Sequence, residues 1–191
     1  MILQSHNSWS YLKPSKWWLK PFHFIAKCQN INIYEQYNKY GVRSFDLRVR
    51  FDEKKGIIVA HGFMEFSINY MELMEHLKFL NDKGCYLRIL HEARNKKQYT
   101  NFSVNAFKEF CSDLEKKFPN IIFFCGKNLY KWTNDYEFVY SPSEDEKYSS
   151  VTAPKIIDDW WPWIYAKLNN KKILKKGTEK DILSIDFVNI R

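Results

Sequence analysis

Short apolar runs and amphipathic helical stretches take turns along this chain, and that alternation limits the fold more than any other feature. Met1-Ile2-Leu3 is long enough only for a stub of strand. A helix is expected over 31–40, capped by Asn30, with Ile33, Tyr34 and Tyr37 facing inward and Gly41 ending it. Val42, Phe45, Leu47 and Val49 then read as a strand, and Ile57, Ile58 and Val59 as a second run. The polar turn 52–56 between them makes a hairpin or strand–loop–strand. Over 70–81, Leu73, Met74, Leu77 and Leu80 share one helical face, His76 reads as solvent-facing, and Gly84 is the stop. Residues 85–90 form an apolar strand that ends in His91-Glu92. Asn101 or Ser103 starts a further helix to Phe118, and 121–125 is another apolar strand. Beyond it, 136–140 reads as a strand, 141–150 as an exposed loop and 154–169 as a helix bent or started near Pro162. The final strand is expected over 182–190, with an acid within it. This order predicts a parallel α/β arrangement.

Composition removes several classes. Hydrophobic residues at 45% and aromatics at 18% exclude a disordered chain. No apolar run is long enough to cross a bilayer, and MILQSHNSW has neither a basic n-region nor an apolar h-region. A cytoplasmic or peripheral-membrane location is therefore expected. Cys28, Cys85, Cys111 and Cys125 show no CxxC spacing, which favours reduced thiols over a disulfide scaffold. The net charge of +8 favours an anionic partner, although Lys171, Lys172, Lys175 and Lys176 also suit a solvated face. No nucleic-acid-binding pattern accompanies the charge, so nucleic acid is not an expected partner. Between Trp9 and Phe24, Pro14 and Pro21 break an aromatic-rich stretch into loop or interrupted helix. Trp17, Trp18, Phe22 and Phe24 are either packing residues or an apolar rim for transient contact with a membrane surface.

Polar residues at strand ends carry the chemistry. Asp46 and Arg48 are two apart on a strand and project from one face. Arg offers phosphate a planar fork of donors, and His moves protons near neutral pH. Asp46–Arg48 alone could be a surface ion pair, and His61-Gly62 alone a turn. In an α/β barrel, however, catalytic side chains gather at the carboxyl ends of several strands. That rule collects His6, Asp46 with Arg48, His61, His91-Glu92 and Asp186, a complete acid/base and anion-binding set.

In order, Ser5-His6-Asn7-Ser8, the pair Glu35-Gln36, Gly41-Val42-Arg43-Ser44-Phe45-Asp46-Leu47-Arg48-Val49 and His61-Gly62 resemble the catalytic X domain of phosphatidylinositol-specific phospholipases C. Ile185-Asp186-Phe187-Val188 resembles the acid-bearing last strand of the bacterial, metal-independent type. The resemblance covers nearly the whole chain and implies one domain over 1–191 with a TIM-barrel-like (β/α) fold. With 191 residues, against the at least ~200 of complete barrels, that barrel is expected to be trimmed or incomplete. It implies a phospholipase C-like phosphodiesterase, acting on a phospholipid or other phosphodiester through a cyclic phosphate, as a monomer. His6 would be the general base, Asp186 its orienting acid, His61 the general acid, Arg48 the phosphate clamp and Asp46 the residue that orients Arg48. Asn7 and Glu92 would contact substrate.

Two departures matter. The bacterial type has Asp where this chain has Asn7, and that Asp assists the general acid. Calcium-dependent members have oxygen ligands matching Asn7, Asp46 and Glu92, but a further acid where this chain has Arg48. No cofactor is therefore the favoured expectation, with Ca2+ on Asn7, Asp46 and Glu92 as the alternative. A weakened phosphoinositide- or phosphate-binding protein on the same fold is the alternative to an enzyme.

Overall fold

In the computed structural model, one long strand, Ser44–Asp52, carries neighbours on both edges and organises the sheet. The structure describes residues 1–92, 100–124, 148–151, 162–177 and 182–190. Its strands are β1 Ile2–Ser5, β2 Ser44–Asp52, β3 Gly56–His61, β4 Met64–Glu65, β5 Tyr86–His91, β6 Ile122–Phe124, β7 Tyr148–Val151 and β8 Ile182–Ile185. The helices are α1 His23–Ala26, α2 Ile33–Tyr40, α3 Tyr70–Asp82, α4 Asn101–Lys117 and α5 Pro162–Lys176, and a 3-10 helix spans Trp17–Phe22.

The parallel strands run in the order β6-β5-β2-β1-β8-β7, and the β3–β4 hairpin adds antiparallel pairs at the far half of β2. The result is an α/β fold with a mixed sheet that is not closed: β6 and β7 are its ends among the described residues. One edge of β2 is shared. β1 covers Ser44 and Phe45 and then stops, while β3 covers Val49 to Asp52. Between them, at 46–48, the edge is forked, and the loop after β1 fills the fork by Ser8 N–H donating to the Asp46 carbonyl at 2.9 Å.

Strand alternation sorts β2 into two faces. Phe45, Leu47 and Val49 join Leu87, Ile89, Leu183 and Ile185 in a core with Ile33, Leu73, Leu77, Leu80, Phe107 and Leu114 from the helices. The opposite face is polar yet buried, bearing Gln4, Ser44, Asp46, Arg48, Arg50 and Arg88. Buried polar groups must be satisfied, and the pairing Gln4 Nε2 to Ser44 Oγ at 2.7 Å shows how tightly this layer is tied.

Several local expectations change. Helix α2 is capped by Asn32, whose Oδ1 accepts from Glu35 N–H at 2.9 Å, and not by Asn30. Its buried residues are Ile33 and Gln36, whereas Tyr34 stays exposed, edge-on to the rings of His76 and Phe79. His76 does not face solvent: it lies on the same stripe as Leu73 and Leu77, and its Nδ1 accepts from the Trp9 indole at 3.2 Å. Residues 148–150 belong to β7, which pairs with β8, rather than to an exposed loop. The last strand ends at Ile185 instead of 190, because Phe187 takes a φ of 46° and turns the chain. Helix α5 is described over Pro162–Lys176 and so runs past the expected end at 169. The strand expected over 136–140 and the start of the helix expected from 154 lie outside the described residues.

Leu77 on α3 is fully buried against the sheet. Leu77→Ala is expected to lower unfolding stability by about 2–5 kcal/mol in urea titrations followed by circular dichroism.

Candidate active site

Parallel pairing of β1 with β8 sets Ser5 opposite Ile185, so His6 and Asp186 leave neighbouring strand ends together. His6 Nδ1 lies 2.7 Å from Asp186 Oδ1, and Arg48 Nη2 lies 2.5 Å from His6 Nε2. A guanidinium only donates, so Nε2 accepts and the ring proton sits on Nδ1, directed at the carboxylate. That is the tautomer a general base needs, with the Nε2 lone pair here occupied by Arg48.

Arg48 is itself fixed by acids. Its Nε donates to Asp46 Oδ2 at 3.1 Å, and its Nη1 is 3.6 Å from Glu92 Oε2. Asp46 also accepts from Asn7 N–H at 2.9 Å and faces Arg88 Nη1 at 3.8 Å. Complete burial acts to raise the Asp46 carboxyl, but Arg48, Arg88, His6 and the Asn7 N–H outweigh it and hold the pKa down at about 2.

The antiparallel register that sets Val49 opposite Val59 carries His61 back toward the level of Leu47, beside the fork. Its ring centroid is 6.0 Å from that of His6, edge to face. His61 Nδ1–H donates to the Ala26 carbonyl at 3.1 Å, which leaves Nε2 as the unprotonated nitrogen of the neutral ring. Burial first, then the nearby Arg48 charge, lowers its pKa to about 4, with Glu92 opposing. Gly62, at a φ of 56°, is held from both sides: its N–H donates to Glu92 Oε1 at 2.8 Å, and its carbonyl accepts from Arg50 Nη2 at 2.6 Å. Glu92 thus links Arg48 to the backbone beside His61.

The structure brings His6, Asn7, Asp46, Arg48, His61, Glu92 and Asp186 into one contact cluster. His91 is not part of it. Strand alternation turns its ring to the core, stacked on Phe107 at 5.1 Å, while Glu92 takes the pocket side.

Several positioning residues carry no motif and were not foreseen. Gln29 Nε2 donates to the carbonyls of His6 and Ile185 at 3.1 Å each, and its Oε1 accepts from Val188 N–H at 3.1 Å. Asn170 Nδ2 reaches the carbonyl of Asp186 at 2.8 Å and that of Ile190 at 3.0 Å. Ser8 Oγ accepts from Asp46 N–H at 2.8 Å. Each is a buried amide or hydroxyl on a non-local segment, and only the buried polar accounting of the fold reveals it.

In the oxygen set Asn7, Asp46 and Glu92 the two carboxylates are engaged by a guanidinium, an arrangement unlike a calcium shell. Calcium takes six to eight oxygens at roughly 2.3–2.6 Å, whereas here both carboxylates already face the guanidinium of Arg48. Asn7 keeps both side-chain polar atoms buried and without a hydrogen bond among the described residues, at a backbone φ of 43°.

No protein-family model matches the sequence, and no curated protein matches it. Solved structures do match in fold. The phosphatidylinositol-specific phospholipase C from Listeria monocytogenes is 14% identical with a TM-score of 0.61, over 97% of this chain and 87% of that one. A point mutant of the Staphylococcus aureus phosphatidylinositol-specific phospholipase C is 15% identical with a TM-score of 0.63, over 97% and 84%. A second structure of the S. aureus protein, from work on its membrane binding, is 15% identical with a TM-score of 0.60, over 97% and 85%.

His61 and His91 both have pKa values lowered to about 4, chiefly by burial. Between the ordinary value of 6.5 and about 4 the unfolded chain therefore binds more protons than the native one. Stability is full above pH ~6.5 and falls as pH drops toward ~4, on the order of 3 kcal/mol for His91 alone. Urea midpoints at pH 7 and pH 4.5 measure this fall, and His91→Phe is expected to make it shallower.

Proposed function

We propose that this chain is a phosphodiesterase that cleaves phosphatidylinositol or a related phospholipid diester by intramolecular attack. The observation that carries the reading is the pair of imidazoles with ring centroids 6.0 Å apart and the Arg48 guanidinium on one of them. His6 Nε2 takes the proton of a hydroxyl neighbouring the phosphate, the inositol 2-hydroxyl in phosphatidylinositol. Asp186 holds the ring in the required tautomer and stabilises the imidazolium that forms. Arg48 exchanges its bond to His6 for the phosphoryl oxygens and contributes about 3 kcal/mol of transition-state stabilisation, as other preorganised donors do. Asp46 and Glu92 fix its orientation. A cyclic phosphate forms, and the diacylglycerol oxygen leaves with a proton from His61.

The same arrangement supports reading the reaction as metal-independent, with Arg48 supplying the positive charge that a cation would bring to Asp46 and Glu92. The chain is read as a single domain over 1–191, a trimmed relative of the closed barrel, acting as a monomer. Among the described residues no helix is long and apolar enough to cross a membrane. Contact with the lipid surface falls instead to Trp17, Trp18, Phe22 and Phe24, between 46% and 78% exposed, with Lys16, Lys20 and Lys27 interspersed. These side chains lead through α1 to Ala26, whose carbonyl holds His61, so the rim and the pocket are neighbours.

A weakened phosphate-binding protein is the second reading, favoured by His61. At a pKa of about 4 it is neutral near pH 7 and a poor proton donor until an anionic substrate raises it. An acid at position 7 would do the same, and Asn7 cannot. With labelled phosphatidylinositol, His6→Ala and His61→Ala should each lower release of cyclic inositol phosphate at least ~100-fold while leaving the circular dichroism spectrum intact. A wild-type chain that binds phosphoinositide vesicles but releases no soluble phosphate supports the second reading. Asn7→Asp should raise turnover about tenfold or more by supporting protonated His61. An unchanged or lower rate would show that leaving-group protonation does not limit the reaction.

A further inference from the structure

One thiol stands at the back of the proposed pocket. Cys28 is buried, yet its surroundings are not those of an ordinary core cysteine. Its Sγ lies 3.9 Å from His61 Nδ1. His6, Cys28 and Asp186 each offer a ligand atom within 4.8 Å of one another, and His61, outside that mutual group, approaches it beside the sulfur. Asp186 is fully buried, and its second carboxylate oxygen, Oδ2, makes no hydrogen bond among the described residues. The proposed chemistry employs His6, His61 and Asp186 and gives the sulfur no part.

We propose that Cys28, His61, His6 and Asp186 together bind one thiophilic divalent cation, zinc above all, and that its binding shuts the pocket off. A sulfur with two imidazoles and a carboxylate is a zinc donor set and a poor one for calcium or magnesium. Zinc–sulfur bonds of about 2.3 Å and zinc–nitrogen bonds of about 2.0–2.1 Å place tetrahedral ligand atoms roughly 3.3–3.6 Å apart. The sulfur and the His61 nitrogen already stand near that separation, at 3.9 Å. The His6–Asp186 pair, at 2.7 Å, has to open by under an ångström. Ligation releases the thiol proton, and because the binding nitrogen of each ring is Nδ1, both imidazoles shift their proton to Nε2 and give up the bonds to Asp186 and to the Ala26 carbonyl. Entry is past His61, which is partly exposed. The cation then takes both the base and the acid of the proposed reaction, and the Nε2–H that His6 now carries turns the Arg48 amino group away from the ring.

The binding half stands on the cluster alone; the shut-off rests on the phosphodiesterase reading. The full chain, freed of metal, is titrated with Co2+ as a spectroscopic probe and then with Zn2+. One equivalent of Co2+ should produce a thiolate-to-cobalt charge-transfer band in the near ultraviolet, which Zn2+ removes. Cys28→Ser, checked for folding by circular dichroism and paired with Cys28→Ala, should lose the band. It should also weaken zinc binding by more than the ~10–100-fold that losing an outer-sphere partner costs. A missing band in the wild type, or one that survives in both variants, overturns the site. In turnover assays, zinc should inhibit the wild type and spare Cys28→Ser, with a chelator restoring the rate. Equal inhibition of both overturns the shut-off. A chain with no turnover at all fails the phosphodiesterase reading, while the cobalt band still decides the metal site.

Discussion

The hydrogen bond between His6 and Asp186, residues 180 apart in sequence, is the contact on which the pocket depends. It exists because β1 and β8 lie side by side in parallel register, with the pocket beginning one residue past each strand. Neither residue is held by its strand alone. Gln29 ties the two departing backbones together, and Asn170 grips the turn that follows Asp186. Arranging these partners costs conformational entropy, which the apolar layer behind β1, β2 and β8 offsets. The His6–Asp186 geometry is thus built by the sheet and trimmed by buried amides.

A second constraint is electrostatic. Arg48 lies on the inner face of β2 with carboxylates on both sides, from Asp46 on its own strand and Glu92 at the end of β5. A buried guanidinium is tolerable only with such partners. The same arrangement leaves one amino group to reach His6 and adds to burial, the larger cause, in keeping the neighbouring His61 uncharged. One cation therefore serves three roles in the proposed reaction. It sets the base's tautomer, prepares the phosphate clamp, and makes the acid depend on an incoming anion. Sulfur lies behind this polar centre, at Cys28, in the position where a soft metal would gather the residues that the reaction needs apart.

Much of this was legible in the chain. Alternation over 44–49 put Asp46 and Arg48 on one face, the polar turn at 52–56 gave the hairpin that returns His61, and helical spacing fixed α3 almost to its ends. Those are local signals. What the sequence hid is non-local. Gln29, Asn170 and Cys28 lie in segments whose neighbours are set only when the sheet assembles, so their residue types alone carry no direction. His76 looked exposed because its sequence neighbours are charged, yet the indole of Trp9 arrives from another segment and covers it. His91 and Glu92 are adjacent and were grouped together, but a strand sends adjacent side chains to opposite faces. The resemblance implies a barrel, trimmed or incomplete at this length, and the α/β sheet is open, ending at β6 and β7 among the described residues.

Nitrogen-15 NMR of the imidazoles tests the central claim most directly, because it reports which ring nitrogen of His6 carries the proton. The account predicts the Nδ1–H form near neutral pH, with a downfield proton that vanishes in Asp186→Asn and an Nε2 signal that shifts in Arg48→Gln. An Nε2–H form, or a His6 spectrum indifferent to both substitutions, would contradict it.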